Sequence, residues 1–298
     1  MSQPRFGRMI PAMVTPFDEN RELDLDRAQA LAVRLVDGGS DSLIISGTTG
    51  ESPTVFYPQK IELFRAVVEA VGERVPVIAN VGDNCTADTI DFAHDVAQLG
   101  VDGFMCVVPY YNKPPQEGIY QHFKTIAEAV ELPVILYNIP GRCVVNMEAE
   151  TTLRLAHECS NIVAVKEASG KMDQVKAIVD DAPENFDVYS GDDAATLDVM
   201  KLGGVGVIST IGNVAPARMK EIVDLYAAGN FEAAEAANEA LLPLMKGLFE
   251  TANPILVKEA LALTGFPVGG VRLPLVDATS EQSERLARIM REVGVLEA

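Results

Sequence analysis

The chain has 298 residues, of which 48% are hydrophobic and 22% charged, and its formal net charge at pH 7 is −19. This is the composition of a globular protein, and its excess of acidic groups disfavours nucleic acids and anionic membranes as partners, because both are polyanions. No apolar run reaches membrane-spanning length and the N-terminus has no signal-peptide core, so we expect a cytoplasmic protein. Scattered cysteines without a CxxC pair favour free thiols over disulfides.

Short apolar runs alternate along the chain with amphipathic segments. Eight runs are predicted strands, at residues 9–14, 42–46, 75–81, 103–108, 134–138, 162–166, 187–190 and 206–209. Predicted helices between them include residues 26–37, 58–71, 86–99, 116–130 and 147–158. This alternation predicts an α/β fold, a (β/α)8 TIM barrel.

The strand pattern stops after about residue 228. Residues 231–249, 254–264 and 280–293 have helical patterns, so we predict a catalytic barrel over 1–228 and a C-terminal three-helix extension over 229–298. The rival architecture, a doubly wound sheet, would need a glycine-rich phosphate turn after an early strand. The sequence contains neither GxGxxG nor GxxxxGK[ST], which favours the barrel.

Lys166 is the only lysine inside a strand-like run, and it ends the apolar stretch 162–166. Strict alternation would place Ile162 and Ala164 on its face of the strand and Val163 and Val165 on the other. A snorkelling lysine or a buried ion pair would explain it structurally. The functional interpretation is a Schiff-base nucleophile, because burial favours the neutral amine that attacks a ketone.

Polar residues follow other predicted strands, at the end where a barrel carries its active site. Tyr137 closes the fifth strand, where its phenol could pass protons or fill the core. Arg142 could bind a carboxylate or be an ordinary solvated loop residue. The stretch GTTGE at 47–51 offers hydroxyls and backbone N–H groups, and without a P-loop lysine it suits a carboxylate better than a nucleotide.

The spacing of the three histidines does not indicate a metal site, because they lie in predicted helices without an HxH or HExxH pair. A magnesium ion held by carboxylates stays open, since four acidic residues lie near strand ends: Glu51, Glu167, Asp192 and Asp193. A lysine that forms an imine would make such a metal unnecessary for stabilising a carbanion.

Five motifs, GTTGE, PYYNKP, YNIPGR, VKEASG and GDD, occur in this order along the chain. Together they resemble the dihydrodipicolinate synthase family of pyruvate-dependent class I aldolases, related to N-acetylneuraminate lyase, from residue 9 to beyond 208. The resemblance implies that Lys166 forms an imine with pyruvate, without a cofactor or metal. It further implies a proton relay of Tyr137, Thr49 and Tyr111, with Tyr111 supplied by a neighbouring subunit in a homotetramer built from tight dimers.

By the same resemblance, Thr48 and Thr49 hold the pyruvate carboxylate, while the backbone at Gly191 and Ile208 lies against the lysine and substrate. Arg142 would bind the carboxylate of L-aspartate-4-semialdehyde, giving 4-hydroxy-tetrahydrodipicolinate for diaminopimelate and lysine biosynthesis. The alternative is a sibling lyase acting on a sugar acid such as N-acetylneuraminate or 2-keto-3-deoxygluconate, although those relatives generally lack this arginine. A catalytically silent barrel would be expected to lack the lysine or the tyrosine.

Members of the family that lysine inhibits bind it at residues matching four positions: Ser52, Asn84, Asp88 and Tyr110. Histidines often found nearby are replaced here by Tyr57 and Lys60. A lysine at position 60 places a cation close to a cationic effector, so the predicted inhibition by lysine is weak or absent.

Overall fold

The computed structural model describes residues 4–297. Eight parallel strands form one sheet: β1 Met9–Pro11, β2 Leu43–Ile45, β3 Val77–Asn80, β4 Gly103–Val107, β5 Val134–Asn138, β6 Ile162–Glu167, β7 Asp187–Ser190 and β8 Gly206–Ser209. From β2 to β8 each strand pairs with the next in sequence, and β1 pairs with β8. A bridge between Ala12 and Ile44 closes the ring between β1 and β2. The predicted (β/α)8 barrel is confirmed.

Helices connect the strands and follow the last one. They are α1 Leu25–Asp37, α2 Tyr57–Val71, α3 Thr86–Ala97, α4 Gln116–Ala129, α5 Pro140–Cys143, α6 Ala149–Glu158, α7 Met172–Asp181, α8 Thr196–Lys201, α9 Pro216–Ala227, α10 Phe231–Gly247, α11 Ile255–Leu263 and α12 Ser280–Glu292. The predicted helices agree with these bounds to within two residues. No helix among residues 4–297 is long and apolar enough to cross a membrane.

Two hydrophobic cores result from the alternation of side chains along each strand. Ile44, Ile78 and Ile135 pack inside the barrel, whereas Leu43 and Leu136 pack between the sheet and the surrounding helices. Both faces of a barrel strand are therefore covered, which explains why the strands read as continuous apolar runs. Each such side chain contributes on the order of 1.5–3 kcal/mol when it is fully buried.

An irregularity in β6 alters the predicted alternation. Val134 of β5 pairs with Ile162, but the next residue, Ile135, pairs with Ala164, so Val163 is an extra residue in the strand. As a result Ile162 packs outside the barrel and Val163 inside, and the predicted faces of these two residues are wrong. A bulge of this kind changes the side-chain direction only locally. From Ala164 onward the regular alternation continues.

The C-terminal helices α10, α11 and α12 lie beside the barrel. Helix α10 packs along α9 and against α12, and α11 packs against α12 and the turn at residues 211–213. The face of α11 toward the protein includes Leu256, Ala260 and Leu261, and also the charged residue Lys258. The division of the chain into 1–228 and 229–298 stays a prediction.

Candidate active site

Lys166 lies near the C-terminal end of β6, paired with Tyr137 on β5. Its side chain is enclosed, with 5% of the residue exposed, and its Nζ lies 4.4 Å from the centroid of the Tyr137 ring. The pKa of Lys166 is lowered to about 8, chiefly by burial; the charge of Asp193 opposes this shift and the charge of Arg142 adds to it. At pH 7 about one such amine in ten is neutral, against about one in a few thousand for an exposed lysine.

The phenol of Tyr137 is buried inside the barrel. Burial raises the pKa of Tyr137 to about 12, while a side-chain hydrogen bond with Thr48 and the charge of Arg142 act in the opposite direction. The phenol is therefore protonated at neutral pH. It can donate this proton to a group that gains negative charge during the reaction. At mildly alkaline pH a largely neutral amine thus lies over the ring of a phenol that keeps its proton.

The loop after β2 carries the two threonines. Two of its residues, Ser46 and Glu51, have left-handed backbone conformations, with φ of 58° and 53°. The Thr48 side chain reaches Tyr137, whereas the Thr49 hydroxyl accepts a 2.8 Å hydrogen bond from Asn253 Nδ2. The structure thus places Thr48 against the phenol, and not Thr49 as predicted for the relay, because Thr49 turns its hydroxyl toward the C-terminal region.

A cavity of about 250 Å³ opens at this end of the barrel. Its lining includes Thr48, Tyr137 and Arg142, together with Lys60 and Asp83. Arg142 belongs to the short helix α5, which begins at a proline and is followed by Val144 in a left-handed conformation. The guanidinium side of the cavity can bind a carboxylate in two-point fashion, and the volume suits a small metabolite.

Gly191 lies close to Lys166, and Ile208 lies on the barrel interior. Gly191 N donates to Glu167 O at 2.8 Å, and a Cβ at position 191 would lie 3.2 Å from Lys166 Cε and 2.6 Å from the Cβ of Ala168. A glycine is therefore needed for the close approach of this turn to the lysine. Ile208 of β8 is buried inside the barrel.

Glu167 faces away from the lysine. Its carboxylate accepts hydrogen bonds from Asn138 Nδ2 at 3.1 Å, Gln174 Nε2 at 3.0 Å and Ser169 N at 2.7 Å. These contacts occupy the carboxylate on the opposite face of β6, so Glu167 is not the counter-ion of Lys166, in keeping with the opposite direction of adjacent strand residues.

Tyr111 does not enter the site of its own chain. It is 88% exposed and has a left-handed backbone, with φ of 72°. Its neighbour Tyr110 lines the cavity, and the Tyr110 hydroxyl donates to Asp83 Oδ2 at 3.1 Å. A large aromatic side chain in solvent next to the cavity mouth is suited to contact another subunit.

Comparison with known proteins places the chain in a family. Residues 5–293 match the model of the Dihydrodipicolinate synthetase family. The chain belongs to this family. It is 55% identical over 292 residues to the 4-hydroxy-tetrahydrodipicolinate synthase of Moorella thermoacetica, a match that covers 98% of this chain and 100% of that protein.

Solved structures of this family have the same fold throughout. The crystal structure of DHDPS from Cyanidioschyzon merolae with lysine bound matches with a TM-score of 0.97 and 45% identity, covering 99% of this chain and 100% of that one. A structure described as the first monomeric dihydrodipicolinate synthase variant has a TM-score of 0.95 and 42% identity, covering 97% of each chain.

The four residues predicted to bind an effector lie close together beside the active-site cavity. Ser52 and Tyr110 line that cavity, and Asn84 Nδ2 donates to the carbonyl oxygen of Tyr110 at 3.0 Å. Asp88 lines a neighbouring cavity of about 420 Å³. Lys60 borders both cavities. In this member of the dihydrodipicolinate synthetase family, the amine of Lys60 is therefore shared by the active-site cavity and the cavity that contains Asp88.

The replacements at positions 57 and 60 differ in their surroundings. Tyr57 packs on Phe92 and hydrogen-bonds to the Asp95 carboxylate, which contributes to raising the pKa of Tyr57 to about 12. Burial lowers the pKa of Lys60, and the charge of Asp83 opposes this shift. Tyr57 is thus held against α3 and lines only the cavity that contains Asp88, whereas Lys60, whose Nζ lies 5.6 Å from the centroid of the Phe92 ring, borders both cavities.

The sequence did not predict the contacts that two residues near the site, Asp193 and Asn253, make in the structure. Asp193, predicted only as a possible magnesium ligand, is buried and accepts hydrogen bonds from Ser209 Oγ at 2.6 Å and Ile211 N at 2.8 Å. Among residues 4–297 no group of three or more histidines, cysteines or carboxylates is placed to hold a metal. Asn253 lies in the turn between α10 and α11, and no motif in the sequence indicates its contact with Thr49.

Proposed function

We propose that this protein condenses pyruvate with L-aspartate-4-semialdehyde to form 4-hydroxy-tetrahydrodipicolinate, in the diaminopimelate route to lysine. The observation that carries the proposal is a buried lysine beside a buried tyrosine, Lys166 and Tyr137, in a chain that is 55% identical to a 4-hydroxy-tetrahydrodipicolinate synthase over nearly its whole length. The fold alone would not support it, because TIM barrels host many reactions.

Lys166 is proposed to act as the nucleophile. Its neutral Nζ attacks C2 of pyruvate, and the carbinolamine then loses water to form a protonated imine. The imine accepts the electron pair released when a proton leaves C3, which yields an enamine. No metal or organic cofactor is needed in this scheme, because the cationic imine itself is the electron sink.

Tyr137 and Thr48 are proposed to move the protons. The Thr48 side chain contacts the phenol, so we assign to Thr48 the relay position first predicted for Thr49. Tyr137 can protonate the leaving hydroxyl of the carbinolamine and take the proton back afterwards. Tyr111 of a second copy would complete the relay at the cavity mouth.

The second half of the reaction consumes the semialdehyde. The enamine C3 attacks the aldehyde carbon, and the resulting alkoxide takes a proton to become a hydroxyl. The amine of the semialdehyde then attacks the imine carbon, closes the ring and releases Lys166 as a free amine. One water is lost overall, and the lysine returns to its starting state.

The two carboxylates would be held by different residues of the site. We assign the pyruvate carboxylate to Thr48 and Thr49, with Gly191 and Ile208 bordering the bound substrate, and the semialdehyde carboxylate to Arg142. A net charge of −19 repels both anionic substrates at long range, so the guanidinium and the loop N–H groups must attract them locally.

A sibling lyase that acts on a sugar acid would use the same imine, and substrate turnover separates the two. Purified protein should consume pyruvate and semialdehyde at a rate far above its rate with N-acetylneuraminate or 2-keto-3-deoxygluconate. Faster cleavage of either sugar acid would overturn the assignment while leaving the imine chemistry in place.

We propose a homotetramer of two tight dimers in which Tyr111 completes the partner's site. The exposure of Tyr111 supports this, as does the description of one solved relative as the first monomeric variant of its kind. Mixing two inactive variants, Tyr111→Phe and Lys166→Ala, should restore activity, because one site of each mixed dimer has both intact residues. A lack of recovery in verified mixed dimers would count against a shared site.

We also propose that lysine inhibits this protein weakly or not at all. The Lys60 side chain borders the cavity that contains Asp88, so it competes with a cationic effector for the acidic groups there. An inhibition constant for L-lysine in the low millimolar range or tighter would contradict this expectation.

A further inference from the structure

Asn253 connects the C-terminal region to loop 47–51, which follows β2 and carries Thr48 and Thr49. It precedes α11 and is 6% exposed, and its Nδ2 donates to Thr49 Oγ1 at 2.8 Å. The two residues are 204 positions apart in the sequence. Thr49 is buried in the loop that also carries Thr48, the contact of Tyr137, so the hydrogen bond lies next to the proposed reaction centre.

The direction of this hydrogen bond determines what Thr49 can do. A hydroxyl group has one proton to donate and two lone pairs to accept with, whereas an amide nitrogen only donates. Because Asn253 Nδ2 fills an acceptor position of Thr49, the hydroxyl proton of Thr49 stays available for another acceptor. A carboxylate oxygen, which only accepts, is the matching ligand.

A buried ion pair also holds loop 47–51 close to Asn253. Glu51, two residues after Thr49, has a left-handed backbone, and its carboxylate forms a buried ion pair of 2.6 Å with Lys258 of α11. The other carboxylate oxygen accepts a 2.9 Å hydrogen bond from Arg272 N. Loop 47–51 and the start of α11 are thus fastened at two points, which fixes the amide of Asn253 opposite Thr49.

The amide is incompletely satisfied, which is unusual for a residue with a purely structural role. Among residues 4–297, Asn253 Oδ1 is buried without a hydrogen-bond partner. Buried polar groups in folded proteins are normally paired, so an unpaired carbonyl costs stability that a small apolar residue would not. The hydrogen bond to Thr49 connects the Asn253 side chain to loop 47–51.

We infer that Asn253 is a positioning residue for pyruvate: by donating to Thr49, it keeps the Thr49 hydroxyl as a donor to the substrate carboxylate. Asn253 has this role only if the protein acts on pyruvate as proposed above. The C-terminal helical region then contributes to substrate binding as well as to the fold.

Asn253→Asp replaces the donor by an acceptor of nearly the same shape. We would measure the pyruvate concentration that half-saturates imine formation, trapped with sodium borohydride and counted by intact mass, at about pH 8.5, where the new carboxyl is ionised. The ionised carboxylate of this variant accepts a hydrogen bond from the Thr49 hydroxyl, which then cannot donate to pyruvate. We therefore expect half-saturation to need about tenfold more pyruvate. Asn253→Ala removes the hydrogen-bond donor but puts no acceptor in its place, so half-saturation of this variant should need about threefold more pyruvate.

The half-saturating concentration does not depend on how much of the sample is folded, so partial misfolding cannot imitate the result. Asn238→Asp is the matched control, because Asn238 of α10 also has a buried unpaired Oδ1 but lies in a helix away from the loop. For Asn238→Asp we expect the same half-saturating pyruvate concentration as for the wild-type protein. Unchanged half-saturation in both Asn253 variants would overturn the inference, whereas wild-type protein that forms no adduct would overturn the proposed function itself.

Discussion

Lys166 Nζ lies 4.4 Å from the centre of the Tyr137 ring, with both side chains buried on adjacent strands. Burial shifts the two pKa values in opposite directions, that of Lys166 down to about 8 and that of Tyr137 up to about 12. The amine therefore loses its proton well before the phenol does. Over the intervening pH range the site holds a nucleophilic amine and an intact proton donor, the two groups that imine formation needs.

The pH dependence of the reaction should follow the amine. The lowered pKa means that the neutral, reactive form of Lys166 predominates above about pH 8 and is lost as the pH falls. We expect kcat/KM for pyruvate to rise about tenfold per pH unit below that value and to level off above it. Initial rates across the pH range, with stability checked at each pH, would measure this. An apparent pKa near that of free lysine would contradict it.

Tyr137→Phe removes the proton donor and keeps the ring. General acid–base catalysis contributes about 10²–10⁴-fold in typical enzymes, so we expect kcat to fall by roughly 10²–10³-fold. Tyr189→Phe is the matched control: Tyr189 is also buried inside the barrel on β7, but its hydroxyl donates to Gly7 O at 2.9 Å, away from the cavity. This control should cost stability and leave kcat close to wild type. Equal losses of kcat in Tyr137→Phe and Tyr189→Phe would contradict a catalytic role for Tyr137.

Arg142→Ala tests the choice of aldehyde. The variant should raise KM for the semialdehyde by roughly 10–100-fold, because a charge-assisted two-point contact is lost. The half-saturating concentration of pyruvate in imine trapping should change much less. Since the charge of Arg142 also lowers the pKa of Lys166, the pH profile of this variant should move to higher pH. Unimpaired use of the semialdehyde would favour the sibling lyase.

The buried ion pair between Lys258 and Glu51 should be costly to break. Its side chains are 2% and 1% exposed, and Lys258 also lies 4.1 Å from the centroid of the Phe17 ring. Lys258→Met leaves the Glu51 carboxylate buried and unpaired, so we expect a loss of about 3–5 kcal/mol in unfolding free energy. Adding Glu51→Gln should recover part of it.

An exposed ion pair offers the comparison for that measurement. Lys176 and Asp180 form a 2.7 Å pair on α7 with side chains 58% and 51% exposed. Lys176→Met should cost about 0–1 kcal/mol, because solvent screens such pairs. Urea unfolding of the three variants would provide these values, and a Lys258→Met loss as small as that of Lys176→Met would show that the buried pair does not hold the loop.

Much of the fold and part of the site follow from local sequence patterns. The positions of all eight strands and the enclosure of Lys166 and Tyr137 could be predicted, since apolar runs, helix periodicity and strand-end polarity are local signals. The bulge at Val163 could not, because an extra residue in an apolar strand leaves no compositional sign.

Other features depend on contacts between distant parts of the chain. Thr48 and Thr49 are adjacent and chemically identical, and which hydroxyl reaches the phenol depends on the left-handed turns at Ser46 and Glu51. Asn253 meets Thr49 only after the C-terminal region folds against the barrel. No periodicity or spacing in a single sequence encodes such a pairing.

The most direct test is to incubate the protein with pyruvate and sodium borohydride and to measure its intact mass, followed by peptide mapping. We predict one reduced pyruvate adduct per chain, located on Lys166, and none in Lys166→Ala. An unmodified wild-type chain, or an adduct on another lysine, would contradict the assignment of Lys166 as the nucleophile.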